Sequence, residues 1–270
     1  MWRILRTRLQ QGHRTVAYPS RPPVLPERFR GRPVVDGTLC PDDCRACSDA
    51  CPTDAIRIAE AGEPEKGPTS RLELDLGRCL FCQDCVTACP EGAIRHTTEH
   101  RLAARHRDDL VMTSTAQQEP ESLPRMQPLD DKLLRLFRRS LKLRQVSAGG
   151  CNACEADVNV LGTIVFDLGR FGIQFVASPR HADGLLITGP VTENMKLALQ
   201  KTYDAVPPPK IVIAVGACAI SGGPYAGHED VHDGASSVVP VDLFIPGCPP
   251  HPYTILDGLL SLLDRLERRE

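Results

Sequence analysis

Cys79-Leu80-Phe81-Cys82-Gln83-Asp84-Cys85-Val86-Thr87-Ala88-Cys89-Pro90 is the stretch from which the rest of the chain can be read. Its first three cysteines share a tight loop, where three thiolates can hold three corners of an iron–sulfur cubane. The fourth, before proline, is spaced to reach across to a second cluster. A second cluster needs a second run, and Cys40, Cys44, Cys47 and Cys51 supply it. The tails match: Cys51-Pro52-Thr53-Asp54-Ala55-Ile56-Arg57 and Cys89-Pro90-Glu91-Gly92-Ala93-Ile94-Arg95. Residues 40–98 are therefore a duplicated unit, each half expected to close in Cys-Pro, a helical turn and a short strand. One cluster would take Cys40, Cys44, Cys47 and Cys89, the other Cys51, Cys79, Cys82 and Cys85. The first run has three residues, Pro41-Asp42-Asp43, where the second has two. That leaves the role of Cys40 and the geometry of its cluster open. A zinc ribbon is the bland alternative, because Cys-x2-Cys pairs also suit zinc.

The other four cysteines lie far apart. Cys151 and Cys154 follow Gly149-Gly150, Cys218 sits in Gly216-Ala217-Cys218-Ala219, and Cys248 sits in Pro246-Gly247-Cys248-Pro249-Pro250. Apolar runs at Gln174–Ala177, Gly184–Thr188, Lys210–Val215 and Asp242–Ile245 read as buried parallel strands. Helical stretches around 155–169, 191–205 and 253–268 alternate with them, which is an α/β layer pattern. Cys218 and Cys248 each follow a strand, and open parallel sheets bind ligands beyond the carboxyl ends of their strands. Either alone reads as an ordinary buried thiol. Together with Cys151 and Cys154 they complete a third set of four, and all twelve cysteines of the chain are then assigned.

At 270 residues and 41% hydrophobic content the chain has room for two modest domains. Net charge is −2, so nothing points to nucleic acid. Residues 1–33 differ, with eight arginines against the single acid Glu27. Trp2-Arg3-Ile4-Leu5-Arg6 breaks any apolar leader, and no window approaches the ~18 apolar residues of a spanning helix. The expectation is a cytoplasmic chain whose thiols stay reduced rather than pairing as disulfides. No Gly-x-Gly-x-x-Gly or Walker loop occurs, so NAD and ATP sites have no support.

The N-terminal half resembles the two-cluster ferredoxin subunits of respiratory complex I and of membrane-bound hydrogenases, including the approach Glu27-Arg28-Phe29-Arg30-Gly31-Arg32-Pro33. From about residue 145 to 260 the chain resembles the small subunits of [NiFe] hydrogenases and their complex I counterpart. The complex I counterpart has two adjacent cysteines at the first position. Cys151-Asn152-Ala153-Cys154-Glu155 looks instead like the energy-converting, formate-hydrogenlyase type. The resemblance implies a bacterial-type two-cluster ferredoxin of α+β class fused to a flavodoxin-like α/β domain. It implies three [4Fe-4S] clusters, the Cys151 cluster being nearest the active site of a large subunit.

The implied boundaries are a basic extension at 1–33, a ferredoxin domain at 34–112, a linker at 113–131 and the α/β domain at 132–270. The last, without the rest of the chain, is expected to suffice for binding the large subunit. A nickel–iron site needs its own cysteines, so it must lie on that other polypeptide. The implied role is electron transfer in a membrane-associated [NiFe] hydrogenase, on the cytoplasmic side of the inner membrane through anchor or further redox subunits. The rivals are a nickel-free, complex I-like quinone oxidoreductase and a non-catalytic metal sensor.

Glu155 has two readings: a proton route at the subunit interface, or a solvated first-turn acid favoured by the helix dipole. His251 reads as tuning a cluster or as a surface histidine. Trp2, Leu5 and Leu9 share one helical face, and Lys132, Arg135, Arg138, Arg139, Lys142 and Arg144 give 132–146 the pattern of a basic amphipathic helix. Both could meet a membrane surface or a partner subunit, and the partner is preferred.

Overall fold

The computed structural model describes residues 2–41, 44–59, 71–114 and 126–266. Helix α1 (Trp2–Gln11) leads into an N-terminal half of short elements: β1 (Pro33–Val35), α2 (Ala46–Asp49), β2 (Ile56–Ala59), β3 (Arg71–Asp75), α3 (Asp84–Ala88), β4 (Ile94–His96) and β5 (Val111–Ser114). The duplication is visible in the pairing. Strand β1 precedes the first cysteine run and pairs antiparallel with β4, which follows the second. Strand β2, after the first run, pairs antiparallel with β3, before the second. The repeats are thus interleaved, and neither is complete alone. Gly31 shows how closely the strap before β1 lies on the second repeat. A Cβ there would sit 2.3 Å from the Glu99 carbonyl oxygen, so only glycine fits.

The C-terminal half contains α4 (Asp131–Phe137), β6 (Leu141–Ser147), α5 (Ala153–Val160), β7 (Ile173–Phe175), β8 (Gly184–Thr188), α6 (Glu193–Ala205), β9 (Ile211–Val215), α7 (Ala217–Ser221), β10 (Leu243–Ile245) and α8 (Pro252–Leu262). The five strands form one parallel sheet in the order β10-β9-β8-β6-β7. Strands β8 and β9 are buried along their whole length, as expected where helices cover both faces. One face packs on α5 and α8 through Val158, Leu161, Ile255, Leu256, Leu259 and Leu260. The other packs on α6 and, unexpectedly, on the N-terminal half through Leu72, Leu74, Leu76, Leu102 and Leu110.

Three helical expectations need correction. Residues 132–146 are not one helix: α4 stops at Phe137 and the chain becomes strand β6. Leu141 and Leu143 alternate into the core, a period of two that overrides the basic residues between them. The 155–169 stretch ends its helix at Val160 and re-forms only as a single 3-10 turn, Leu168–Phe171. Helix α8 ends at Leu262, short of 268. The linker of 113–131 is also narrower. Thr113 and Ser114 pair with β3, Leu129 is buried, and the Asp130 carboxylate caps α4 by accepting from the Lys132 and Leu133 amides at 2.9 and 3.0 Å. Residues 115–125 lie outside the described part.

The two halves are bolted together along the sheet edge. Ala104 forms an antiparallel bridge with Phe244 of β10, its amide donating at 3.0 Å and its carbonyl accepting at 2.8 Å. The Arg105 guanidinium donates to the Asp242 carbonyl at 2.8 Å, and Ser221 Oγ donates to the Gly77 carbonyl at 3.0 Å. The basic extension is pinned too. Tyr18 is buried and donates its phenol to the Asp257 carboxylate of α8, with His100 Nε2 3.4 Å from the same phenol oxygen. Burial pushes the Asp257 carboxyl up to about 6, outweighing the Tyr18 hydrogen bond that favours its anion.

Candidate metal centres

The eight N-terminal thiols surround two cavities, and each cavity takes cysteines from both runs. Cys51, Cys79, Cys82 and Cys85 line a space of about 370 Å³ together with Thr53, Leu74, Phe81 and His96. Cys40, Cys44, Cys47 and Cys89 line another of about 310 Å³ with Val35, Leu72 and Ile94. The interleaved strands explain the exchange. Each Cys-Pro residue leads into a strand, β2 or β4, that pairs with the opposite repeat, which carries its thiol across. Backbone amides are aimed at the sulfurs at equivalent places: Ala55 donates to Cys51 Sγ and Ala93 to Cys89 Sγ, both at 3.2 Å, and Phe81 donates to Cys79 Sγ at 3.3 Å.

The second run wraps its cavity with Phe81 and Gln83 in the left-handed region, at φ 56° and 78°. Arg30, which no spacing rule singles out, ties this loop down by donating to the Phe81 and Cys82 carbonyls at 3.1 and 3.2 Å. Its signal in the sequence is the Phe29-Arg30-Gly31-Arg32-Pro33 approach, which carries only a resemblance. Asp42 and Asp43 of the irregular spacer lie outside the described residues. Cys40 nevertheless lines the same cavity as Cys44, Cys47 and Cys89.

The donor chemistry suits iron–sulfur clusters. Burial pushes the Cys79 thiol up to about 12 and those of Cys47 and Cys85 up to about 11, and the neighbouring sulfurs add to each rise. Four thiolates in so apolar a space need a positive group between them, and soft sulfur donors select iron–sulfur clusters or zinc. Among the described residues no three His, Cys, Asp or Glu side chains gather as a site for a single metal ion.

The third set assembles at the carboxyl ends of β6, β9 and β10. Cys151 and Cys154 follow β6 through the Gly149-Gly150 turn, Cys218 lies in α7 just after β9, and Cys248 follows β10. The Cys154 thiol is raised by burial and then by the charges of Cys218, Glu155, Cys248 and Cys151, so the four sulfurs share one locality. Burial likewise pushes Cys218 up to about 11. Cys151 and Cys248 are exposed, which leaves this site open on one side. Cys248 is raised by burial, by Cys151 and also by Cys82, which makes the third set the electrostatic neighbour of the Cys79–Cys85 cavity.

Gly216 caps α7 at φ 91°, and a Cβ built on it would lie 2.5 Å from Cys154 Sγ. Gly216→Ala is therefore expected to dislodge Cys154 from the third cysteine set while leaving the two N-terminal sets intact. A fall in the iron content of the purified variant relative to the parent protein checks this.

Glu155 is not a solvated acid. Helix α5 begins over the carboxyl end of the sheet, so its first turn faces inward, and the buried carboxylate accepts from Ser147 Oγ and Thr188 Oγ1, each at 2.6 Å. Burial opposes its charge, but the two hydroxyls outweigh it and hold the carboxyl below its ordinary range. His251 is half-buried and packed rather than free on the surface. Its Nδ1 accepts from the Tyr253 amide at 3.2 Å as the cap of α8, and its ring stacks on Tyr253 at 5.5 Å and meets Phe29 edge-on at 5.3 Å.

Residues 40–93 match the 4Fe-4S dicluster domain, and residues 151–262 match the NADH ubiquinone oxidoreductase, 20 Kd subunit family. The probable membrane-bound hydrogenase subunit mbhJ of Pyrococcus furiosus is 39% identical over 137 residues, which cover 51% of this chain and 82% of that protein. The chain belongs to the 20 Kd subunit family. Formate hydrogenlyase subunit 7 of Escherichia coli is 44% identical over 51% of this chain, and the match spans only about half, 54%, of that relative. An NADH-quinone oxidoreductase subunit from Clostridium beijerinckii is 43% identical over 43% of this chain and 70% of its own length. In this 20 Kd family member the matched region starts at Cys151 and holds all four cysteines of the third set. The dicluster match starts at Cys40 and covers both N-terminal runs.

Proposed function

We propose that the chain is an iron–sulfur electron-transfer subunit of a membrane-bound hydrogenase or complex I-like complex, carrying three [4Fe-4S] clusters. The observation that carries this reading is the three-plus-one composition of both N-terminal cavities, which is how two-cluster ferredoxins exchange their Cys-Pro ligands. Cys40, Cys44, Cys47 and Cys89 would hold one cluster, Cys51, Cys79, Cys82 and Cys85 the second, and Cys151, Cys154, Cys218 and Cys248 the third. A bound [4Fe-4S] cluster supplies a one-electron carrier whose potential depends on its burial and on hydrogen bonds to sulfur. The protein's part is to set those terms: the Ala55, Ala93 and Phe81 amides point at sulfurs.

Two units, 34–112 and 132–270, would correspond to subunits that are elsewhere separate, joined here in one chain. The strand order of the C-terminal sheet, second-first-third-fourth-fifth, is the flavodoxin-like arrangement. The open side at Cys151 and Cys248 is where a large subunit would present its metal site, with anchor or further redox subunits exchanging electrons with the ferredoxin end. Glu155, joined to Ser147 and Thr188 and one residue from Cys154, is suited to pass a proton at that face. Cys151-Asn152-Ala153-Cys154 favours the hydrogenase type over the complex I type, and nickel analysis of the native complex separates them.

Anaerobically purified protein is expected to carry about twelve irons and as many sulfides, as three cubanes require. About eight would mean that the Cys40 run holds no cluster, and zinc without sulfide would overturn the reading.

A further inference from the structure

We propose that α1 is an interfacial helix that seats this chain directly on an anionic bilayer, in addition to any contact made through partner subunits. Helix α1 buries none of its residues. Trp2, Leu5 and Leu9 are 86%, 54% and 84% exposed although the protein has two large cores available. At about 100° per residue these three share one stripe, with Arg6 on one border and Arg8 on the other. No acid lies in the helix, and residues 1–33 hold eight arginines against Glu27.

The body of the protein adds to the same surface. Thr15 Oγ1 donates to the Ile164 carbonyl and the Val16 amide to the Val165 carbonyl, both at 2.8 Å. Those two residues are themselves 71% and 41% exposed. The helix therefore leaves the body beside a second exposed apolar pair contributed by a segment far away in sequence. Between the two, Gly12 at φ 61° ends the helix in open space.

The charge pattern chooses lipid over protein. A protein groove would have to offer acids on both borders of a narrow apolar stripe. An anionic bilayer offers phosphates all around it, at the depth where arginine side chains reach when their stems lie along the apolar boundary. Tryptophan at the end of the stripe suits the same interface. The inference does not depend on the cluster assignments.

Trp2 is the only tryptophan of the chain, so its emission reports on this helix alone. The full chain is mixed with vesicles of phosphatidylcholine alone and of equal parts phosphatidylcholine and phosphatidylglycerol. With the anionic vesicles the emission is expected to shift to the blue and the protein to pellet with lipid, both effects falling as salt rises. Neutral vesicles should give neither. The variant Leu5→Gln/Leu9→Gln and the variant Arg3→Gln/Arg6→Gln/Arg8→Gln should each weaken partition about tenfold or more, with iron content unchanged. Emission that stays at the water-exposed position on anionic vesicles overturns the proposal. So does a blue shift that appears only when the other subunits of the complex are added, which would make the helix a protein-docking element.

Discussion

Cys51→Ala is expected to damage the cluster proposed at Cys79, Cys82 and Cys85, and Cys89→Ala the cluster proposed at Cys40, Cys44 and Cys47. Each substitution acts on the run it does not belong to. The cavity linings are the reason: Cys51 faces the second run's thiols and Cys89 the first's. The amides of Ala55 and Ala93 would lose their sulfur acceptors at the same time. Losing one of four thiolates should either abolish the affected cluster, a loss of roughly a third of the iron when three clusters are present, or convert it to a three-iron cluster, a loss of only about one iron in twelve. Electron paramagnetic resonance of the two reduced variants distinguishes the centres. Damage confined to the substituted residue's own run would refute the exchanged ligand sets.

Deleting residues 1–131 is expected to leave no soluble C-terminal half, contrary to the sequence-based expectation that it binds a large subunit alone. The deletion strips Leu74, Leu76, Leu102 and Leu110 from a core they share with Val146, Leu185, Ile187 and Ile220. It frees the β10 edge now bridged by Ala104 and removes the Tyr18 phenol from buried Asp257. Uncovering several fully buried side chains at about 1.5–3 kcal/mol each is comparable to the whole stability of a domain, about 5–15 kcal/mol. An open strand edge adds a route to aggregation. Expression of 132–270 alone, judged by solubility and circular dichroism, is the check. A soluble, cooperatively folding fragment would show that the shared core is dispensable.

The grouping of the eight N-terminal cysteines about two cavities was legible in the sequence because their spacing is local: a tight loop either presents three thiols to one point or it does not. The strand pattern was legible for the same kind of reason, since Gly184–Thr188 and Ile211–Val215 are continuous apolar runs that only a doubly covered sheet can bury. Charge misled where packing ruled. Lys142 and Arg144 suggested a helical basic face, but Leu141 and Leu143 had core positions to fill and the segment became β6. Other features belong to no segment at all. Glu155 is buried and hydrogen-bonded because β6 and β8 bring Ser147 and Thr188 to it, and Gly216 is required because Cys154 arrives from another strand end. The union of the two halves rests on meetings such as Tyr18 with Asp257 and Ala104 with Phe244. Pattern and spacing act over a few residues and can be read along the chain. Which buried surfaces face one another, and so which polar groups must be paired, exists only once the whole chain has packed.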